Sequence, residues 1–171
     1  LDMGTGTGFL AALLAALGAE VHAIDVSPES LEIAHKRAVV SGQEHKITFY
    51  EMPCESLNFP DEYFDAVLGS FVLHHSDLGP TLNELARVMK PGARGGFIET
   101  WGGNPLLMLA RRLISGRFGI DKSSSDDECP LDGKAEAMIR SVFPESNSII
   151  FPELLFLRML TVIPLLKRKP V

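Results

Sequence analysis

The sequence predicts an α/β domain with a doubly wound, mostly parallel sheet and helices on both of its faces. Strand-like and helix-like patterns alternate over residues 1–100, as they do in chains of βαβ units. A glycine-rich turn at residues 4–8 connects the first strand to a helix, and Asp25 ends the second strand. Since crossovers between parallel strands are right-handed, these units should assemble into one sheet.

The first two helices are predicted from propensity and capping signals. Residues 9–17 (FLAALLAAL) have high helix propensity, and Gly18 is placed to end that helix. Residues 27–29 (SPE) combine an N-cap residue, a proline at the first helical position and an acid in the first turn. A second helix should therefore begin here and run to about residue 40. The other predicted elements are strands at 21–24, 46–51, 64–70 and 95–100, a loop at 53–62, and helices at 81–90 (ended by Pro91 and Gly92), 106–114 and 135–143.

Composition and charge narrow the class of protein. The 171 residues suffice for one domain with a sizeable core, and we expect residues 1–171 to form one. The net charge is −6, whereas a nucleic-acid binder typically has a basic face, so no nucleic-acid partner is expected. Cys54 and Cys129 have neither disulfide nor zinc-type spacing, which favours a reduced, cytoplasmic protein without a metal site. Leu1 and Asp2 resemble a strand end, so we expect an upstream segment to be missing.

The glycine-rich turn has the pattern D-x-G-x-G-x-G, from Asp2 to Gly8. Glycines at such a turn let the backbone approach a ligand closely. A dinucleotide-binding loop, G-x-G-x-x-G, would place its third glycine where this sequence has Phe9. The spacing, led by an acidic residue, instead resembles the S-adenosylmethionine loop of class I methyltransferases. Asp25 suits either reading, since a carboxylate at this strand end can accept hydrogen bonds from ribose hydroxyls; it can also serve as a turn or capping acid.

The resemblance extends through three further segments, residues 55–67 (ESLNFPDEYFDAV), 73–75 (LHH) and 85–92 (LARVMKPG). Together they resemble the methyltransferase domain of the ubiquinone/menaquinone-biosynthesis type, over roughly residues 1–100. The resemblance implies a Rossmann-like methyltransferase fold and S-adenosyl-L-methionine as cofactor. It also implies methyl transfer to a small-molecule or lipid-like acceptor.

Carried over by position, the resemblance divides the candidate site into three parts. The methionine end of the cofactor is assigned to Asp2, Gly4, Thr5, Gly6, Thr7 and Gly8. The ribose is assigned to Asp25, the adenine to Val26, and the neighbourhood of the reactive methyl group to Ser70 and Phe71. Related domains commonly have an Asp-Ala pair after the third strand, where this sequence has Pro53 and Cys54. We therefore expect the Cys54 backbone N–H to meet the adenine, Glu55 to substitute for the missing acid, and the cofactor to bind more weakly than usual.

Methyl transfer to an acceptor that loses a proton requires a base. His74 and His75 follow the fourth strand and are the candidates, because imidazole accepts protons near neutral pH. The alternative is that one histidine packs beneath the cofactor and the other fixes a loop. An acceptor that has no proton to lose would need only alignment and desolvation.

The acceptor side is assigned to residues 101–171 and the cofactor side to residues 1–100, with a mobile loop at about 121–130. Glu99, Trp101 and Asn104 follow the fifth strand and are placed to line an acceptor pocket, although Trp101 is equally suited to a core. Residues 149–166 are apolar but interrupted by proline and charge, unlike a membrane-spanning helix. Phe151, Phe156 and Met159 there suit a lipid-like acceptor or a buried core, and the basic residues 167–169 suit peripheral contact with an anionic membrane.

Two other functions remain open at the level of sequence. A nicotinamide-dependent oxidoreductase would share the fold, but the loop spacing and the lack of a Tyr-x-x-x-Lys pair disfavour it. The other is a methyltransferase fold that binds a partner or nucleotide without turnover. The presence of Pro53, where related domains commonly have an aspartate, is compatible with it.

Overall fold

The computed structural model of the protein describes residues 1–102 and 130–149. Its centre is a parallel five-stranded sheet with the strand order β3-β2-β1-β4-β5. The strands are β1 (Asp2–Met3), β2 (Val21–Asp25), β3 (Ile47–Glu51), β4 (Phe64–Ser70) and β5 (Met89–Ile98). The predicted α/β class and parallel sheet are confirmed.

Four helices accompany the sheet in the described residues. They are α1 (Phe9–Ala16), α2 (Pro28–Val40), α3 (Leu78–Val88) and α4 (Gly133–Val142), with 3-10 turns at Glu44–Lys46 and Leu73–His75. The predicted start of α2 is confirmed in detail, since the Ser30 N–H donates to the Ser27 hydroxyl at 3.1 Å and Pro28 occupies the first helical position. None of these helices is long and apolar enough to cross a membrane.

Strand order reverses at β1, which pairs with β2 on one side and with β4 on the other. Asp2 lies opposite Ala23 of β2 and opposite Leu68 of β4. The crevice at the carboxyl ends of the strands beside such a reversal is where open α/β sheets bind ligands. The glycine-rich turn leaves β1 at this point.

Two apolar cores lie against the sheet. One is lined by small residues of α1 and α2 together with β2 and β3, and includes Ala11, Ala15, Val21, Ala23, Ala38 and Ile47. Small side chains there let the two helices approach the strands closely. The other core joins α3 and α4 to β4 and the loop after β3, and includes Leu57, Phe59, Phe64, Val67, Leu82, Leu85 and Val88.

The boundary between α3 and β5 differs from the prediction. The predicted helix at 81–90 begins earlier, at Leu78, and ends at Val88, while the strand predicted at 95–100 already begins at Met89. Met89 pairs with Phe64 of β4, and the ladder shifts register before Ala66 pairs with Arg94. The strand therefore contains an irregularity that accommodates Pro91 and Gly92, and pairing with β4 prevails over the helical pattern of residues 89–90.

The predicted helix at 106–114 lies outside the described residues. The same holds for Asn104, Cys129, most of the expected mobile loop at 121–130, and residues 150–171. The helix predicted at 135–143 is confirmed as α4.

Arg87 fixes the loop between β3 and β4 to α3. Its guanidinium donates to the carbonyl oxygens of Leu57 and Phe59, each at 2.7 Å, and also bonds the Glu84 carboxylate. Glu84 in turn accepts the Leu57 N–H at 2.7 Å. Because a planar guanidinium supplies all of these donors at once, a lysine cannot replace it.

We expect Arg87→Ala to lower the free energy of unfolding by about 2 kcal/mol, since buried carbonyls lose charged donors. Arg87→Lys should recover less than half of that loss. Chemical denaturation measures both values, with Lys90→Ala as the control, because the Lys90–Asp65 ion pair is exposed and such pairs contribute less than about 1 kcal/mol. Equal effects of Arg87→Ala and Lys90→Ala would contradict this role for Arg87.

Candidate functional site

The candidate site lies at the carboxyl ends of β1, β2 and β4. Three glycines of the turn after β1 have positive φ angles: 60° at Gly4, 51° at Gly6 and 76° at Gly8. They bend the chain sharply from the end of β1 into α1. Side chains other than glycine rarely adopt this backbone conformation.

The three glycines differ in what surrounds them. A Cβ added at Gly8 would lie 2.7 Å from the Cβ of Ala34 in α2, and one at Gly4 would overlap the Val72 side chain. Among the residues that the structure describes, none has an atom within 4 Å of a Cβ added at Gly6. Gly4 and Gly8 are therefore required by packing, whereas Gly6 borders open space that a ligand can enter.

Asp25 binds the glycine-rich turn to the end of β2. One carboxylate oxygen accepts the Gly6 N–H at 2.7 Å, and the other accepts the Ser27 N–H at 2.9 Å. An ionised carboxylate has about four acceptor positions, so these two bonds leave capacity for hydroxyl donors of a ligand. The side chain is half-buried and borders the open space beside Gly6.

Asp2 lies beneath the turn and is only 1% exposed. The Thr5 hydroxyl donates to its carboxylate at 2.6 Å. Burial raises the pKa of Asp2 to about 6, although the hydrogen bond from Thr5 acts in the opposite direction. Asp2 therefore changes its charge close to neutral pH. Thr7, in the same turn, is exposed.

The loop after β3 contains Cys54 and Glu55. Cys54 is buried, and burial raises the pKa of its thiol to about 12, so the side chain is neutral. The Glu55 carboxylate accepts the N–H of Asp77, just before α3, at 2.8 Å. It thereby joins this loop to α3, a partner that the sequence did not indicate.

Exposed apolar side chains lie at the ends of β2 and β4, on either side of the turn. Val26, directly after Asp25, is 65% exposed, and Phe71, directly after Ser70, is 54% exposed. Ser70 itself is half-buried at the last position of β4. Exposed apolar groups next to polar ones at a strand-end crevice are a typical feature of small-molecule sites.

The two histidines after β4 have different surroundings. His74 is buried, and its Nδ1 lies 2.6 Å from an oxygen of Glu99. The other Glu99 oxygen accepts the N–H groups of Val72 and Leu73, at 2.9 and 2.8 Å. His75 is exposed, with its ring centroid 4.1 Å from that of His74. By sequence, Glu99 is among the residues that could line an acceptor pocket. In the structure, its carboxylate points toward the loop that follows β4.

The structure therefore connects most of the predicted site residues. The turn after β1 contacts the end of β2 through Asp25 and the loop after β4 through Val72. That loop is bonded in turn to the end of β5 through Glu99. Cys54 and Glu55 belong to a separate loop that is anchored on α3.

Comparison with known proteins extends this description. The sequence model of the methyltransferase domain family matches residues 1–95. The demethylmenaquinone methyltransferase of Thermus thermophilus is 43% identical over 97 residues, which are 55% of this chain and 43% of that protein. The ubiquinone/menaquinone biosynthesis C-methyltransferase UbiE of Nitrobacter hamburgensis is 37% identical over 98 residues, 55% of this chain and 39% of that protein.

A solved structure has a similar fold. The YcgJ protein of Bacillus subtilis superimposes with a TM-score of 0.68 and 25% identity, covering 82% of this chain and 59% of that one. The match spans less than half the length of each of these two curated relatives. The family match nevertheless includes more than half of this chain, with the glycine-rich turn, Asp25 and both histidines within it. The chain belongs to the methyltransferase domain family and has the class I methyltransferase fold.

Proposed function

We propose that this protein is an S-adenosylmethionine-dependent methyltransferase that acts on a small, quinone-like acceptor. The observation that carries the proposal is the junction of Asp25 with Gly6. Among residues 1–102 and 130–149, the Asp25 carboxylate keeps acceptor positions beyond its two hydrogen bonds, and the space beside Gly6 is open. Family membership supports the same reaction class.

The described residues fit this cofactor. Asp25 would accept hydrogen bonds from the ribose hydroxyls, and exposed Val26 would pack on the adenine. The turn around Gly6 would contact the methionine end, with Asp2 beneath it as the nearest buried carboxylate. The cofactor supplies an electrophilic methyl group on a sulfonium, so the protein's task is to align the acceptor and exclude water.

The acceptor class is inferred from the relatives and from the exposed Phe71. Two matched proteins are named for demethylmenaquinone or for ubiquinone and menaquinone. Phe71 offers an aromatic surface at the end of β4, suited to stacking against a planar ring. We also propose peripheral membrane contact through residues 149–171, as their apolar and basic composition predicts; co-sedimentation with anionic vesicles tests this contact.

Methylation of a ring carbon in a quinol releases one proton. We propose His75 as the group that accepts it, because its imidazole is exposed in the loop that follows β4, whereas His74 is buried against Glu99. The cofactor would supply the methyl group, its methyl–sulfur bond breaking as the carbon–methyl bond forms, and the imidazole of His75 would take the ring proton. S-adenosylhomocysteine is the other product.

Binding of S-adenosylhomocysteine tests the cofactor assignment. We expect saturable binding by titration calorimetry, no binding of NAD, and about 10- to 100-fold weaker binding in Asp25→Ala, because hydrogen bonds to a charged group contribute about 1.5–3 kcal/mol. Glu51→Ala is the matched control, since Glu51 is an exposed carboxylate at the end of the neighbouring strand. Circular dichroism establishes that each variant is folded.

Turnover then separates an enzyme from a binding protein. The assay follows a labelled methyl group from S-adenosylmethionine to 2-prenyl-1,4-naphthoquinol, with a panel of phenolic and carboxylate acceptors alongside. Binding of S-adenosylhomocysteine without transfer to any acceptor would favour the non-catalytic alternative. Binding of NAD instead would favour the oxidoreductase.

Because Gly6 and Gly8 have different surroundings, substituting them should have different effects. Gly8→Ala should lower the free energy of unfolding by about 3 kcal/mol, because the new Cβ collides with α2 in an unfavourable backbone conformation. Gly6→Ala should cost only about 1 kcal/mol of stability but weaken S-adenosylhomocysteine binding, since its Cβ enters the open space. Denaturation and calorimetry on both variants measure the two effects. Strong binding by a folded Gly6→Ala variant would place the ligand elsewhere.

Because of Asp2, we expect the stability of the protein and its affinity for the cofactor to depend on pH in opposite directions. Its pKa is raised by burial from 3.8 to about 6, so the folded state is stabilised by the protonated form. This contribution, about 3 kcal/mol, is present at low pH and is lost as the pH rises toward 6. The affinity for the cofactor should rise over the same pH interval. Only the ionised Asp2 carboxylate would attract the ammonium group at the methionine end of the cofactor.

The variant Asp2→Asn isolates this titration. Denaturation and S-adenosylhomocysteine titrations are carried out between pH 4.5 and 7.5. In the variant, the free energy of unfolding and the binding affinity should both change less with pH than they do in the unaltered protein. An affinity that is independent of pH in the unaltered protein would exclude Asp2 from holding the amino group.

A further inference from the structure

The side chain of Glu99 is committed to the loop that follows β4. It is 8% exposed and forms three bonds, to the N–H groups of Val72 and Leu73 and to Nδ1 of His74. The N–H of Phe71 donates to the carbonyl of Ile98, the residue before Glu99, at 2.8 Å. Three successive amides of the loop are therefore held by two successive residues at the end of β5.

The loop is held in a conformation that its sequence does not favour. Phe71 has a φ of 57°, a value that a bulky residue rarely adopts. Backbone strain of this kind persists only where the surroundings impose it, and it is concentrated at functional sites. Here the surroundings are the hydrogen bonds from Ile98 and Glu99, and Phe71 is more than half exposed at the strand-end crevice.

The same carboxylate also supports the ring against which His75 lies. Its second oxygen fixes the buried ring of His74, and the exposed ring of His75 lies against that ring at 4.1 Å between centroids. In the same loop, Val72 packs against Gly4 of the glycine-rich turn. The loop that carries Phe71 and His75 is thus held by contacts with both the turn and the end of β5.

We propose that Glu99 is a positioning residue for the methyl acceptor, acting through His74 and the loop that carries Phe71 and His75. This inference rests on the proposed function. Glu99 has no contact with the acceptor in this role; it fixes the aromatic surface and the imidazole that meet the acceptor. Loss of its charge should therefore impair alignment of the acceptor more than binding of the cofactor.

The test compares Glu99→Gln with Glu84→Gln. Glu84 is a matched control, since it is also a largely buried carboxylate that accepts a loop N–H and a side-chain donor, but on α3. A glutamine at 99 keeps one oxygen for the loop amides and places its NH₂ group against the Nδ1–H of His74. We expect kcat with 2-prenyl-1,4-naphthoquinol to fall about 10-fold or more, whereas the Kd of S-adenosylhomocysteine changes less than about threefold.

In Glu84→Gln, kcat should stay within about twofold of the unaltered protein, even where the melting temperature falls as much as in Glu99→Gln. In the double variant Glu99→Gln/His74→Asn, kcat should be no lower than in Glu99→Gln alone, because the two residues act as one unit. Additive losses would overturn the coupling through His74.

The outcomes distinguish this inference from the proposed function. Normal turnover by the unaltered protein with equal turnover by Glu99→Gln would overturn the positioning role and leave the methyltransferase assignment intact. Parallel losses in kcat and cofactor affinity in both glutamine variants would show a general structural effect and also overturn it. If the unaltered protein binds S-adenosylhomocysteine but methylates no acceptor, the proposed function fails, and the positioning role falls with it.

Discussion

The candidate site depends on the carboxylate of Asp25. Its two oxygens accept N–H groups from Gly6 and Ser27, so a single side chain joins the turn after β1 to the end of β2 and the start of α2. Without these bonds, two amides at the crevice would lack a partner from the protein. Under the proposed function, the same carboxylate would accept hydrogen bonds from the ribose hydroxyls, so one residue would both organise the turn and recognise the ligand.

The sequence predicts well where local chemistry decides the structure. The start of α2 follows from Ser27 and Pro28, and the sharp turn after β1 follows from its glycines. It predicts less well where a distant partner decides. Met89 joins β5 because it pairs with Phe64, and no signal within residues 81–92 reveals that pairing. The parallel sheet, by contrast, follows from the regular alternation of strands and helices, which is why the fold class could be predicted before the element boundaries.

The same distinction applies to the site. Positions next to strand ends, such as Asp25 and Phe71, could be proposed from sequence because the ends of parallel strands meet at one edge. The partners of Glu55 and Glu99 could not, since each bonds amides more than twenty residues away along the chain. An acidic residue directly after β5 was the available signal. The position of this residue placed it at the crevice. The direction of its side chain could be known only from the packed structure.

The two loops that border the crevice are mechanically connected through Val72. Its side chain contacts Gly4, and its N–H is held by Glu99. Because Gly4 has no Cβ, the two loops approach closely enough for one to limit the movement of the other. A ligand that orders the turn after β1 would therefore also restrict the loop that carries Phe71 and His75. In a reaction with two substrates, binding of the first beside the turn would restrict the loop against which the second is aligned. The sheet that supports both loops would not need to change.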